Sequence, residues 1–407
     1  MAIEERQHSL VGPSNLTRCL NCPRSARFEE QFPDRDTSYA LEGTMAHAIG
    51  ERLLEFYKHT DRIAVFDEPW AHLADFLAFD KTFKELADDV DNHGWDFQEM
   101  LEIVHDKYTA PVWEDFIKAR AEDPKAQLLV ETRLNLGAFI PEGIGTADAI
   151  IIHGSKIHVI DLKFGRGVRV SAKRNPQMMA YALGALVGPG EDYHISEVEM
   201  TIIQPRLGAY SSDTLTVREL AKWAAEVLVP GAKAAFAGEG DFVPGDHCEF
   251  CKGKAYCKAL AEYCSRITNV YPEATALLPE ELGKVLESVG IVEMWASAVR
   301  AKAMEMLSEG VAVPGWKLVE GRSVRKIMDT DKAIETLKQA GFGPADYFKP
   351  SELKGITDLE RLVGKKNFAT LLGEYVGKQP GKPALAPESD PRSAYVPSAE
   401  AEFTSNL

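Results

Sequence analysis

Residues 144–164 read IGTADAIIIHGSKIHVIDLKF, and this stretch predicts the centre of the fold. Its two halves, 144–152 and 156–164, are rich in β-branched residues, which favour strands, and a short turn containing glycine separates them. The two halves are therefore expected to form a hairpin. Asp148 and Asp161 would then lie near the same end of a small sheet.

The chemistry of this hairpin depends on the triplet Asp161-Leu162-Lys163. Side chains alternate along a strand, so Asp161 and Lys163 should face the same side, while the carbonyl of Leu162 could still serve as a metal ligand. Two carboxylates can hold Mg²⁺ or Mn²⁺, and a neighbouring lysine can orient a water molecule or stabilise developing charge. Taken alone, an Asp-x-Lys triplet is common and is more often a solvated strand surface.

The surrounding pattern predicts a mixed α/β core. Segments 128–136 and 197–204 have the composition of further strands, and 174–187 and 216–228 have helical periodicity. The resulting order is helix, three strands, helix, strand, helix. Residues from about 60 to 125 are rich in helix formers and acids and are expected to be a helical insertion.

Two more groups of polar residues flank the hairpin. Upstream, the stretch EGTMAH ends at His47 on a predicted helix over 45–58; downstream, Gln177 and Tyr181 lie four apart on one helical face. Each has an ordinary structural explanation, since a single helical histidine is usually a partly buried polar group.

The sequence resembles the RecB-like nuclease families of the PD-(D/E)xK superfamily. The resemblance lies in the order of four motifs along the chain: a helix histidine, an Asp, an Asp-x-Lys and a Gln-x-x-x-Tyr. The resemblance implies a restriction-endonuclease-like core, a mixed sheet flanked by helices. It also implies metal ligands at His47, Asp148 and Asp161, a catalytic lysine at Lys163, and positioning roles for Gln177 and Tyr181. Glu131, at the end of the strand before Asp148, is either an additional acid of the site or a solvated strand end.

The cysteines form a second pattern. Cys22 stands far upstream of a C-x2-C-x5-C cluster formed by Cys248, Cys251 and Cys257. Such thiolates suit iron–sulfur clusters and zinc alike, and Cys19 could replace Cys22 as a ligand. Cys264 is expected to be a buried thiol.

The four cysteines extend the resemblance. AddB-type and CRISPR-adaptation nucleases are similar in having one cysteine before the nuclease core and three after it. The resemblance implies a [4Fe–4S] cluster, with Zn²⁺ as the alternative. Its expected role is structural, joining the N-terminal segment to the far end of the nuclease domain.

Composition restricts the other possibilities. The 407 residues are 45% hydrophobic and 27% charged, as in ordinary globular proteins, with a formal net charge of −16. That charge opposes nonspecific nucleic-acid binding, but the segment 161–174 is locally basic. No secretory leader and no apolar run of membrane-spanning length is found, so no membrane contact and a cytoplasmic location are expected, in a bacterial host if the protein is phage-encoded.

The expected organisation is a RecB-like nuclease domain over 1–270, a mainly helical region over 271–376 with a basic hairpin at 316–327, and a flexible tail over 377–407. The C-terminal part resembles an uncharacterised phage- and prophage-associated RecB-like family. The expected function is a metal-dependent DNA nuclease, with an exonuclease favoured, acting in phage DNA recombination or processing. The expected partners are DNA and a phage single-strand-binding or annealing protein. The alternative is a non-catalytic DNA-binding or protein-scaffold module that retains the nuclease fold and a zinc or iron–sulfur centre.

Overall fold

The structure, a computed structural model, describes residues 9–33, 38–61, 82–268 and 279–317. All of them belong to one unit, Met1–Leu318, and the description below concerns that unit alone. Three predictions fall outside the described residues, wholly or in large part: the basic hairpin at 316–327, the helices up to residue 376, and the tail over 377–407. The first third of the predicted insertion, 62–81, is also outside them.

The strands are β1 (Gln127–Asn135), β2 (Ile144–His153), β3 (Lys156–Leu162), β4 (Glu197–Gln204) and β5 (Ala209–Thr216). The helices before the sheet are α1 (Leu16–Asn21), α2 (Ser25–Glu29), α3 (Ser38–Thr60), α4 (Phe83–Asn92), α5 (Phe97–Val104) and α6 (Ala110–Glu122). One helix, α7 (Pro176–Val187), connects β3 to β4; after the sheet come α8 (Val217–Trp223), α9 (Val229–Ala237), α10 (Lys258–Thr268) and α11 (Pro279–Ser308).

The five strands form one mixed sheet in the order β1-β2-β3-β4-β5. Neighbouring strands are antiparallel except β3 and β4, which are parallel because α7 carries the chain back across the sheet. The mixed α/β fold class and the β2–β3 hairpin are thus confirmed. Because β3 and β4 are parallel, their C-terminal ends lie side by side at one end of the sheet, which is where Asp161 lies.

Helices cover both faces of the sheet, which explains the nearly continuous apolar composition of the hairpin. Ile150, Ile152 and Val159 belong to the hydrophobic core shared with α7, α8 and α9. Ile151 and Ile160 belong to the opposite core, built with α3 to α6. Each fully buried aliphatic side chain contributes roughly 1.5–3 kcal/mol through removal from water.

The structure differs from the sequence prediction at three places. The strand β5 was missed, because only Ala209 and Leu215 of its eight residues are buried, and pairing with β4 rather than hydrophobicity makes it a strand. The predicted helix over 216–228 is α8 followed by a π turn at Ala224–Leu228. Residues 9–15, for which no element is predicted, are packed against the fold, with Val11 fully buried.

No helix in the described part of the chain is both long and apolar enough to cross a bilayer.

Candidate active site

Three carboxylates from three adjacent strands lie in line across the sheet. Glu131 of β1 stands opposite Asp148 of β2, between the paired positions Val130↔Ala149 and Thr132↔Ala147. The last paired residues of β2 and β3 are Ala149 and Ile160. Continuing this register by one residue places Asp148 opposite Asp161 of β3. The sheet thus brings together the two predicted aspartates and the glutamate for which two roles were open.

Helix α3 adds a nitrogen ligand to this row of acids. His47 Nδ1 lies 3.3 Å from Asp148 Oδ1 and 3.8 Å from Glu131 Oε1. Within the described ranges, these three residues are the one group of His, Cys, Asp or Glu whose ligand atoms all lie within 4.8 Å of one another. Imidazole and carboxylate together suit Mn²⁺ and related divalent ions.

The electrostatics of the group favour a positive charge. Burial disfavours the protonated imidazole, yet the charge and hydrogen bonds of Asp148 and Glu131 raise the pKa of His47 to about 10. A cation at this position is therefore stabilised, and a protonated His47 or a bound divalent ion would each supply it.

The buried Asp161 pairs with the partly exposed Lys163 beside the first group. Lys163 Nζ lies 2.9 Å from Asp161 Oδ2, and that buried oxygen makes no aligned hydrogen bond with any described residue. Burial raises the pKa of Asp161, with the charge of Lys163 opposing the rise and that of Asp148 adding to it. Burial lowers the pKa of Lys163, but the two aspartates outweigh it, so the net shift is upward.

The other predicted residues hold these acids in place. Gln177 Nε2 donates to Asp161 Oδ1 at 3.1 Å and to the Tyr181 hydroxyl at 3.2 Å. Gln177 is fixed because it lies in the first turn of α7, where the side chain of Asn175 accepts its N–H at 3.0 Å as the N-cap. Leu162 contributes its backbone N–H, which donates to Asp148 Oδ2 at 2.7 Å. The predicted metal-ligand role of its carbonyl stays a prediction.

A buried ion pair that no sequence motif predicts lies beside the site. Arg206, just after β4, donates to Glu42 of α3 at 2.6 Å, and both side chains are at most 10% exposed. The guanidinium also lies 4.4 Å from the ring centroid of Phe164, the residue after Lys163. The pair therefore ties α3, which carries His47, to the ends of β3 and β4. No short motif could have predicted it, because its members are far apart in sequence.

The loop from β3 to α7, residues 163–175, presents a basic surface next to the carboxylates. The side chain of Gln204 fixes this loop, accepting from Val170 N at 2.7 Å and donating to the Val168 carbonyl at 3.0 Å. Four basic side chains of the loop are exposed, namely Arg166, Arg169, Lys173 and Arg174.

The second predicted group, the four cysteines, meets at one cavity. Cys22, Cys248, Cys251 and Cys257 all line a cavity of about 20 Å³ that is also lined by aromatic and aliphatic side chains. The backbone N–H of Val243 donates to Cys22 Sγ at 3.4 Å.

The two remaining cysteines do not line this cavity. Cys19 donates its thiol to Asn15 Oδ1 at 3.4 Å, and burial raises its pKa to about 12. Cys264 is buried, as expected. Burial, followed by the charge of Glu29, also raises the pKa of Cys251 to about 12, so binding of an inorganic group there would displace a proton.

Comparison with known proteins gives a family without a described function. A family model described as a protein of unknown function (DUF2800) matches residues 8–393. The solved structure "Crystal structure of SSO0001" is similar at 14% sequence identity and a TM-score of 0.23, over 60% of this chain and 96% of that one. A TM-score this low carries no argument about fold or function.

Proposed function

We propose that this chain, which belongs to the DUF2800 family of proteins of unknown function, is a divalent-metal-dependent deoxyribonuclease, with an exonuclease as the favoured form. The observation that carries the proposal is the convergence of Glu131, Asp148 and Asp161 from adjacent strands with His47 and Lys163. A set of acids, an imidazole and a lysine at one sheet edge is a composition suited to hydrolysis of phosphodiesters.

The donor set fits a divalent ion. His47, Glu131 and Asp148 would hold it, and the Asp161 oxygen that lacks an aligned hydrogen bond is a further candidate ligand. When bound, Mg²⁺ or Mn²⁺ would polarise the phosphate, lower the pKa of a bound water molecule and offset negative charge that develops on oxygen.

The other residues have roles that their contacts support. Lys163 would orient the attacking water or stabilise negative charge on the phosphate, because its ammonium group is held at the edge of the site by Asp161. Gln177 would keep the Asp161 carboxylate in one orientation, and Tyr181 would in turn fix Gln177. Asp148 would be held by the Leu162 N–H.

The proposed substrate is DNA, and the β3–α7 loop supports it. The exposed side chains of Arg166, Arg169 and Lys173 lie on the loop that begins at Lys163, so a phosphate backbone would find local positive charge despite the net charge of −16. A strand following the loop would reach the carboxylates, which is the path expected for a free DNA end.

We further propose that the four cysteines bind a structural [4Fe–4S] cluster. Cys22, Cys248, Cys251 and Cys257 line one cavity and supply the four thiolates that such a cluster needs. Four thiolates also suit tetrahedral zinc, which is the alternative. The RecB-like assignment within the PD-(D/E)xK superfamily, and a role in phage DNA processing, belong to the same proposal.

The test is a cleavage assay with Mn²⁺ or Mg²⁺ on linear, circular and single-stranded DNA. Asp161→Asn and Lys163→Met should each lower the rate by at least about 100-fold. Lys156→Met is the matched control, since Lys156 lies at the opposite end of β3 and pairs with Glu197 and Glu199. Cleavage of linear but not circular DNA would identify an exonuclease. DNA binding without cleavage by the metal-loaded wild type would instead favour the non-catalytic module.

A further inference from the structure

Two residues that form a buried ion pair flank Cys22 in the sequence, one before it and one after it. Arg18 lies in α1 and Glu29 is the last residue of α2, and both are buried. The Arg18 Nη2 group donates to Glu29 Oε2. The pair therefore closes the short turn that carries Cys22.

The same two side chains hold the backbone around another cysteine. Arg18 Nη1 donates to the carbonyl of Phe250 at 3.2 Å, and the N–H of Lys252 donates to Glu29 Oε1 at 2.6 Å. Phe250 and Lys252 are the immediate neighbours of Cys251. One ion pair from the N-terminal segment thus fixes the peptide groups before and after a cysteine that lies more than 200 positions further along the chain.

The energetics point to positioning rather than to stability alone. A buried ion pair loses much of its attraction to desolvation, and apolar residues of similar volume often stabilise a fold as well or better. Here Arg18 Nε is also buried without a hydrogen bond to any described residue. What apolar residues could not replace is the pair of directional hydrogen bonds to the backbone flanking Cys251.

We propose that Arg18 and Glu29 form a clasp that holds the Cys251 loop beside Cys22, so that the protein assembles the four-cysteine site before an inorganic group binds. This inference rests on the proposal that the four cysteines bind such a group. It does not depend on nuclease activity. The clasp residues act through the cysteine loop and are positioning residues.

The experiment compares full-length wild type with Arg18→Met/Glu29→Met, which removes both charges and leaves no unpaired buried charge. Iron, sulfide and zinc are measured after anaerobic purification. Each protein is then stripped with a chelator, and iodoacetamide labelling of Cys251 and Cys264 is followed by mass spectrometry. Cys264 is the internal control, because it is buried in a hydrophobic cluster with Leu260 and Ile291 that does not include the clasp residues.

The expected result is a rise in Cys251 labelling of about tenfold or more at constant Cys264 labelling, because the loop opens locally. Recovery of the group from a mixture of ferrous and ferric iron with sulfide should fall in parallel. The Glu29 charge itself raises the pKa of the Cys251 thiol, so its removal speeds labelling even in a closed loop. Recovery is therefore the deciding readout, and unchanged recovery would overturn the clasp whatever the labelling.

Two further arms keep the outcomes distinct. If both cysteines of the double variant label faster, the fold is lost. The shape-preserving Glu29→Gln is then judged instead, by recovery of the inorganic group. The neighbouring exposed Glu30→Gln is its control. A wild type that binds neither iron nor zinc at the cysteines would overturn the cysteine centre itself, and the clasp with it, while leaving the nuclease proposal standing.

Discussion

At the scale of single residues, the backbone of Glu131 marks the site. Its φ is +41°, a left-handed conformation that is rare for a residue with a side chain and costs energy unless its surroundings compensate. It occurs where Glu131 faces Asp148 and His47. The sequence could not decide between the two roles for Glu131, because a strand end and a strained site residue look the same in one dimension.

Glu131→Gln should weaken divalent-ion binding by about tenfold or more, because ion affinity depends on the number of charged ligands. Mn²⁺ titration followed by electron paramagnetic resonance measures this. The exposed Glu122→Gln is the control, and equal Mn²⁺ affinity in wild type and Glu131→Gln would remove Glu131 from the site.

A second residue-scale prediction concerns His158, which is buried in β3 and bonded to the Thr201 hydroxyl at 2.9 Å. Burial lowers its pKa, while the charges of Glu199 and Asp115 oppose the shift and those of Lys156 and His153 add to it. The folded state therefore binds the proton less readily than the unfolded state.

Stability should consequently fall as the pH drops below the unfolded pKa of about 6.5, by at most about 1.4 kcal/mol per pH unit. His158→Gln should flatten this slope in urea unfolding between about pH 7 and 5, whereas the exposed His93→Gln should not. A wild-type slope that survives in His158→Gln would show that another group is responsible.

At the scale of elements, the position of α7 governs the acids through Gln177. The Asn175 side chain accepts from the N–H groups of Gln177 and Met178, so it caps the helix at the point where the helix reaches Asp161. Asn175→Ala should lower the free energy of unfolding by about 1 kcal/mol and reduce cleavage more than that loss explains. Thr216→Ala, which removes the cap of α8 far from the carboxylates, should cost similar stability without the loss of cleavage. Equal loss of cleavage in both would contradict the role of α7.

The ion pair between α3 and the end of β4 gives a further element-scale prediction. Glu42→Ala would leave Arg206 charged and buried, a change that typically costs about 3–5 kcal/mol, whereas removing an exposed pair such as Asp115–Lys118 costs about 0–1 kcal/mol. Urea unfolding of Glu42→Ala and Asp115→Ala measures the contrast. Similar losses in the two variants would mean that Arg206 is hydrated in solution.

Elements also show how far the sequence predicts the structure. The hairpin could be predicted because both of its strands are strongly apolar and a turn separates them. Strand β5 could not, since only its pairing with β4 identifies it. For the site, the predicted hairpin indicated Asp148, Asp161 and Lys163, and the family resemblance implied Gln177; the fold brings these residues together. The Glu42–Arg206 and Arg18–Glu29 pairs left no local signal, because long-range contacts depend on the three-dimensional fold.

At the scale of the whole described unit, Cys22 from the N-terminal segment lies at the same cavity as three cysteines that follow the sheet. Cys22 lines the cavity with the three later cysteines, whereas Cys19 is bonded to Asn15, so Cys22→Ser should abolish binding of the inorganic group and Cys19→Ser should retain it. Because binding of such a group contributes to folding, Cys22→Ser should also unfold at a lower temperature. Metal analysis measures binding of the group, and thermal unfolding measures the unfolding temperature. If Cys19→Ser lost the group and Cys22→Ser retained it, Cys19 rather than Cys22 would be the fourth ligand.

The acidic chain carries an exposed basic loop that begins at Lys163, next to Asp161. Replacing Arg166 and Arg169 with Gln should weaken DNA binding and reduce its dependence on salt concentration, because fewer counterions are released. Filter binding over a salt series measures this. An unchanged salt slope would place the DNA path elsewhere.

The most direct measurement of the central claim is anomalous X-ray diffraction at the manganese edge from crystals grown with Mn²⁺. We expect a single strong peak, or two adjacent peaks, bounded by His47, Glu131, Asp148 and Asp161, and we expect the signal to disappear in Asp148→Asn. Manganese-saturated crystals of the wild type with no peak at these residues would contradict it.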